Sequence, residues 1–268
     1  ERNAPPSALQ KPVINFTQLA GSLPRLDNLD KRNTNSALLK RRACMRVEEL
    51  GLVPEVKVTD KDALIVVDMQ NDFIPSGALP VKGGNEVIEP INSLAEKFHD
   101  RSNIIVMTQD WHPPRHPSFA SSHGKKPFEP YESEGIGPVL WPDHCIQGSR
   151  GAEFHPEIET KFAKAIIRKG YNPKIDSYSV FIENDMKTHT GVSGYLKTLG
   201  RTRVFICGLA LDYCVYYSAK NGRDLGFEIV IPIDLSKAIG SPKDHLSNAL
   251  DFMVKKGVRF VNSENIVM

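Results

Sequence analysis

At 268 residues, the chain is long enough for one large α/β domain or two small ones. Lys and Arg number 34 against 32 Asp and Glu, a formal charge of +2, which argues against a dedicated nucleic-acid binder with a concentrated basic face. A composition 40% hydrophobic and 25% charged excludes wholesale disorder, and no run of about 18 apolar residues is present to span a membrane as a helix.

Residues 1–60 hold ten Lys and Arg against seven Asp and Glu, so the small positive excess belongs to this leading segment. It is rich in Pro, Asn and Leu and shows no sustained period beyond a helix expected around Ser36–Leu50. We read it as a basic arm, ordered in part, that packs on the body or on a partner. Asn15-Phe16-Thr17 is a glycosylation triplet of a kind common by chance. The polar stretch from Asp27 is not a calcium loop, because Arg32 and Leu38 stand where Gly and an acid are needed. The chain begins at Glu1, as a processed chain or a fragment does, and no signal-peptide core is visible near it. Four cysteines (Cys44, Cys145, Cys207, Cys214) are too sparse for a disulfide scaffold. They read as reduced thiols, and the expected location is the cytoplasm.

From residue 61 the pattern becomes regular. Ala63–Asp68 opens it as a continuous apolar run, as expected of a strand buried on both faces. A helix follows over Glu86–Asp100, then strands at Asn103–Thr108 and Lys164–Arg168. Thr188–Leu199 reads as a helix, Arg203–Cys207 as a strand, and Asp212–Leu225 as a helix. Phe227–Pro232 is a strand, His245–Lys256 a helix and Val258–Val261 the last strand. This alternation predicts an α/β fold for residues 61–268, a doubly wound and mostly parallel sheet with helices on both faces. Ligands of such folds gather at the carboxyl ends of the strands.

Those ends carry chemistry. The first strand is followed by Asp68, a carboxylate that burial would penalise without a cation or shared proton. The second leads into Asp110-Trp111-His112-Pro113-Pro114-Arg115-His116, the third into Lys169-Gly170, and the fourth into Gly208 through Cys214. Five of the eight histidines fall between residues 112 and 155. Asp110 and His112, two apart on an extended segment, project to one side and can share a cation, with His116 or His144 as the third ligand. Cys145, beside His144, is an alternative soft ligand. Cys214, at the start of a helix, gains thiolate character from the helix dipole and from Lys169. Asp68 can take the thiol proton and later activate water. Cys207, inside a strand, reads as inert. The residues by themselves thus describe a thiol hydrolase with a metal site left open.

Taken in order, Val67-Asp68-Met69-Gln70-Asn71-Asp72-Phe73, Asp110-Trp111-His112-Pro113 with Ser118-Phe119-Ala120, Trp141-Pro142-Asp143-His144-Cys145, Lys169-Gly170 and Ala210-Leu211-Asp212-Tyr213-Cys214-Val215 resemble the nicotinamidases of the isochorismatase-like hydrolase superfamily. The resemblance covers residues 62–268 and leaves the arm unmatched. It implies a catalytic triad of Asp68, Lys169 and Cys214, with Ala210 and Cys214 N–H groups as the oxyanion site beside a cis peptide between Leu209 and Ala210. It implies a divalent metal on Asp110, His112 and His144, zinc first with iron or manganese also fitting, and His116 as a ligand of lower rank. Phe73, Trp141 and, less directly, Tyr178 would wall the pyridine ring. The activity implied is hydrolysis of nicotinamide to nicotinate and ammonia through a cysteine thioester, a step of NAD salvage. The partner is then a small molecule, not nucleic acid or membrane, and homo-oligomerisation is left open. Two alternatives remain. One is a metal-independent hydrolase of the same fold, cleaving another amide or an enol ether, which Asp110, His112 and His144 argue against. The other is a non-catalytic interaction protein, which the intact triad argues against.

Overall fold

A computed structural model of the chain describes residues 45–268. The Asn15 triplet, the stretch from Asp27, Cys44 and most of the helix expected over Ser36–Leu50 lie outside the described residues. The main sheet has seven strands, six of them in the order β4 (Ala165–Lys169), β3 (Ile104–Asp110), β2 (Asp62–Val67), β5 (Arg203–Leu209), β6 (Glu228–Pro232) and β8 (Arg259–Val261), and every neighbouring pair is parallel. All six residues of β2 are buried, as the unbroken apolar run requires of a strand covered on both faces. Its one acid, Asp62, accepts a 2.6 Å hydrogen bond from Arg203 Nε on β5.

Helices connect the strands as the sequence periodicity predicts. In α1 (Ile88–Asp100) the residues Ile88, Ile91, Leu94, Ala95 and Phe98 share the buried stripe, and Phe98 meets Phe205 of β5 edge-on at 5.2 Å. Pro90 sits in the first turn, where its missing N–H has no intrahelical partner to lose. The remaining helices are α2 (Val192–Thr198), α3 (Tyr216–Asp224) and α4 (His245–Lys255). No helix among the described residues is long and apolar enough to cross a membrane.

Most element ends shift by one or two residues, and three features depart further from the sequence reading. The helix expected from Thr188 begins only at Val192, because Gly191 takes a left-handed φ of 95° and His189 bridges back to Ile182. The segment expected as one helix from Asp212 opens instead with a wide π-type turn, Leu211–Val215, before α3. Two-residue strands escape any periodicity: β7 (Ser236–Lys237) pairs with the end of β5, and β1 (Val56–Lys57) pairs with β9 (Ile266–Val267). Of the leading arm, the described part packs on the body. Leu50, Val56 and Val58 join its core, and Val53 N–H donates to the Phe260 carbonyl at 2.8 Å.

Strand order reverses direction between β2 and β5, so the topological switch point lies at their adjoining carboxyl ends. Asp68 follows one and Ala210 to Cys214 follow the other, with Asp110 and Lys169 closing β3 and β4 alongside. The topology alone therefore gathers these residues on one rim.

Candidate active site

Lys169 is the hub of that rim. Its side chain is wholly buried, and its ammonium lies 2.7 Å from Asp68 Oδ2, donates to Asp110 Oδ1 and to the Ser177 carbonyl at 3.2 Å, and points at Cys214 Sγ at 3.3 Å. Burial alone would drive the ammonium pKa down. Asp110 and Asp68 outweigh it and hold the group well above its ordinary value. The first acid has a second support. Thr108 donates its hydroxyl proton to Asp68 Oδ1 at 2.6 Å while accepting from the Asp68 backbone N–H at 3.1 Å. With its backbone in the left-handed region at φ 47°, Asp68 is clamped in one orientation. Its Oδ2 makes no aligned hydrogen bond. Burial lifts the Asp68 carboxyl above the usual range, against the pull of Lys169.

Cys214 lies inside the wide turn and is 6% exposed. The sequence reading expected its thiol to be acidified by the helix start and by Lys169. Burial reverses that balance: the thiol is pushed well above its ordinary value, with Lys169 pulling the other way and Asp68 and Asp110 adding to the rise. At rest it holds its proton. A base within reach is thus a chemical requirement, and the carboxylate of Asp68 lies in the same 4.8 Å cluster of donor atoms. The Leu209–Ala210 peptide is cis. Cys207 is fully buried within β5 and its thiol is pushed up by burial, in keeping with an inert side chain.

Beside the triad, the ligand atoms of Asp110, His112 and His144 lie within 4.8 Å of one another, all three residues buried. The fit of this set to a cation follows from its hydrogen bonds. His112 Nδ1 is 2.9 Å from the Gly170 carbonyl and His144 Nδ1 is 2.8 Å from the Pro142 carbonyl. A carbonyl only accepts, so each Nδ1 carries the proton and each Nε2 presents its lone pair. Those lone pairs face Asp110 Oδ2 at 3.6 and 3.7 Å. Two imidazole lone pairs and a carboxylate oxygen thus converge with no donor between them. Burial would lift the Asp110 carboxyl, but the Lys169 ammonium works against it and holds the group well below the usual range. It is therefore a charged ligand, and the donor set suits a divalent cation.

Two residues from the sequence reading lie outside the Asp110, His112 and His144 set, though His116 shares a second donor group with His112 and Asp176. His116 has both ring nitrogens engaged, Nδ1 by the Ser118 hydroxyl at 2.7 Å and Nε2 by the Asn172 carbonyl at 2.9 Å. Cys145, weighed as a soft ligand, belongs to no donor cluster among the described residues. Its backbone instead ties the loop down, donating to Asp72 Oδ2 at 2.7 Å and accepting from His112 N–H at 3.0 Å. The aromatic residues do assemble. Phe73 meets His144 edge-on at 5.6 Å, and Trp141 packs edge-on to Tyr213 at 4.7 Å while its indole N–H donates to Tyr178 Oη at 3.0 Å. Sequence reasoning missed Thr108 and Gln70. The Gln70 amide pairs with both the N–H and the carbonyl of Asp110, each at 2.8 Å, and so fixes the shared ligand. A buried primary amide beside a strand end was the available signal for Gln70; nothing in the sequence marks Thr108.

A family profile described as the isochorismatase domain matches residues 62–265. A nicotinamidase of Acinetobacter baylyi is 44% identical over 214 residues, which cover 80% of this chain and 98% of that protein. Among solved structures, an Acinetobacter baumanii nicotinamidase/pyrazinamidase is 43% identical with a TM-score of 0.74, covering 77% of this chain and 98% of that one. A Pyrococcus horikoshii pyrazinamidase in complex with zinc is 36% identical with a TM-score of 0.61, covering 75% and 99%. The chain belongs to the isochorismatase family. Within it, two curated relatives that the chain spans across 98% of their length are nicotinamidases, which are amidohydrolases.

Proposed function

We propose that the protein hydrolyses nicotinamide to nicotinate and ammonia, with Cys214 as nucleophile, Asp68 as general acid and base, and Lys169 as their common cation. The observation that carries this reading is the placement of one buried ammonium between Asp68, Asp110 and the Cys214 sulfur, beside three converging metal-type ligand atoms. When bound by Asp110, His112 and His144, a divalent cation supplies a Lewis-acidic anchor for the pyridine nitrogen; zinc suits this donor set, with iron or manganese as alternatives. Phe73, Trp141 and Tyr178 wall the ring and set the amide carbon over Cys214. Asp68 Oδ2 takes the thiol proton, and the thiolate bonds to the carbonyl carbon. The Ala210 and Cys214 N–H groups receive the developing oxyanion. Asp68 returns its proton to the departing amine, and ammonia leaves a thioester. Water then loses a proton to Asp68 and adds to the same carbon. The C–S bond breaks, the thiolate recovers the proton from Asp68, and the released carboxylic acid gives its proton to bulk water as nicotinate.

This reading assigns a small-molecule substrate and a cytoplasmic setting, and needs neither nucleic acid nor membrane. Benzamide separates it from its alternatives, since it keeps the ring size and the amide but lacks the ring nitrogen. Ammonia release should favour nicotinamide strongly in the intact enzyme, and the preference should shrink in His144→Ala. Equal turnover of both amides by the intact enzyme would remove the ring-anchoring role.

A further inference from the structure

Near His112 stands a second buried carboxylate that neither the resemblance nor the triad accounts for. Asp176 is 2% exposed. Its Oδ1 accepts from the Ser177 backbone N–H at 2.7 Å and lies 4.0 Å from His112 Nε2; its Oδ2 has no hydrogen-bond partner. Among the described residues its sole ion-pair contact is with His112. Lys169, the one buried ammonium of the rim, is already held by Asp68, Asp110, the Ser177 carbonyl and the Cys214 sulfur. His112 Nε2 is therefore flanked by two carboxylates, at 3.6 and 4.0 Å, while its own proton is committed to Gly170 through Nδ1.

An uncompensated buried carboxylate oxygen is costly unless a cation meets it. The ligand atoms of His112, His116 and Asp176 also lie within 4.8 Å of one another, so His112 belongs to two overlapping donor sets. Of the two outer members, His116 is satisfied at both ring nitrogens, whereas Asp176 keeps an oxygen unspent. We propose that Asp176 serves the cation site from beside His112, as a second buried carboxylate whose charge strengthens the hold of that ligand set on a divalent ion. The inference rests on the cation site formed by Asp110, His112 and His144. It assigns that site two negative charges rather than one, which favours a divalent ion over a monovalent one.

The test is zinc affinity of chelator-stripped protein, measured by competition with a chromophoric chelator, for the wild type, Asp176→Asn and His144→Ala. Asparagine keeps an Oδ1 acceptor for the Ser177 N–H, so the loop geometry is preserved. Asp176→Asn should weaken zinc binding about 10- to 100-fold, the usual effect of removing a residue that supports metal ligands. Without metal, its thermal midpoint should stay level or rise, because the unpaired charge is gone. An affinity within threefold of the wild type, in a protein where His144→Ala has lost zinc, overturns the role of Asp176 alone. Wild-type affinity in His144→Ala overturns the underlying cation site as well. If Asp176→Asn fails to fold, Asp176→Ser is judged by the same affinity threshold.

Discussion

Replacing Lys169 with Met should unfold the protein more readily as well as inactivate it, and the two effects have one origin. The ammonium is fully buried, 2.7 Å from Asp68 Oδ2 and bonded to Asp110. Methionine matches its length but leaves two buried carboxylates facing each other without a cation. Removing one partner of a buried ion pair costs about 3–5 kcal/mol, well above the value of an exposed pair. For a body of this size, each kcal/mol moves the midpoint by about 2–4 °C, so a fall of roughly 6–20 °C is expected. Urea and thermal denaturation should be run in chelator, so that metal binding does not enter the comparison. Adding Asp68→Asn removes one stranded charge, and the double variant should be more stable than the sum of the single changes by about 0.5–3 kcal/mol. The pH dependence has a definite sign. Asp68 is already raised by burial, and without Lys169 it rises further. A raised folded-state carboxyl gives stability that is complete below the unfolded value and is lost as pH climbs, so the deficit of the variant should narrow towards pH about 4. A destabilisation below about 1 kcal/mol, the scale of an exposed pair, or strict additivity with Asp68→Asn, would refute the buried-hub argument.

Gly170→Ala should damage the cation site directly. Gly170 sits at φ +67°, and a Cβ there would lie 2.5 Å from His112 Cε1. Zinc affinity is expected to fall at least about tenfold as that ligand is displaced, with about 1–2 kcal/mol of backbone strain in the melt; unchanged affinity would mean that His112 is not a ligand. Thr108→Val keeps the shape but removes the hydroxyl that orients Asp68. Loss of a hydrogen bond to a charged group, about 1.5–3 kcal/mol, should lower kcat/KM roughly 10- to 150-fold in an ammonia-release assay. A drop smaller than threefold would show that Asp68 is positioned by its backbone alone.

Much of this site is legible in the chain because the chemistry follows the strands. Asp68, Asp110 and Lys169 stand at the ends of apolar runs, and a parallel sheet brings successive strand ends to one rim whatever the loops do. The spacing of Asp110 and His112 likewise places them on one side. What escapes is set by tertiary contact. Asp176 lies in a loop with no period, and its importance arises only from its 4.0 Å approach to His112. Thr108 reads as an ordinary strand residue until Asp68 folds back onto it. The acidity of Cys214 was misjudged for a related reason: helix position and a lysine are local signals, but the depth of burial that opposes them is a property of the whole fold.

Asp110 joins the two halves of the site, because its Oδ1 binds Lys169 while its Oδ2 faces both histidine Nε2 atoms. That sharing leads to a prediction with an uncommon sign. Among the influences on the Cys214 thiol, burial raises its pKa, Lys169 lowers it, and Asp68 and Asp110 raise it. Asp110→Asn should therefore abolish zinc binding and yet make Cys214 more acidic, both by removing a nearby negative charge and by freeing part of the Lys169 field. His144→Ala should also lose zinc but change the thiol less, since it removes no carboxylate from beside Lys169 and Cys214. Iodoacetamide alkylation of metal-free protein at neutral pH distinguishes them, with modification at Cys214 mapped separately from Cys44, Cys145 and Cys207. Each tenfold gain in thiolate speeds alkylation only about three- to fourfold, because a weaker base is also a weaker nucleophile. Asp110→Asn should react faster than His144→Ala, and Lys169→Met more slowly than either. Equal rates for Asp110→Asn and His144→Ala would mean that the carboxylate serves the cation alone and that the two halves of the site are electrostatically separate.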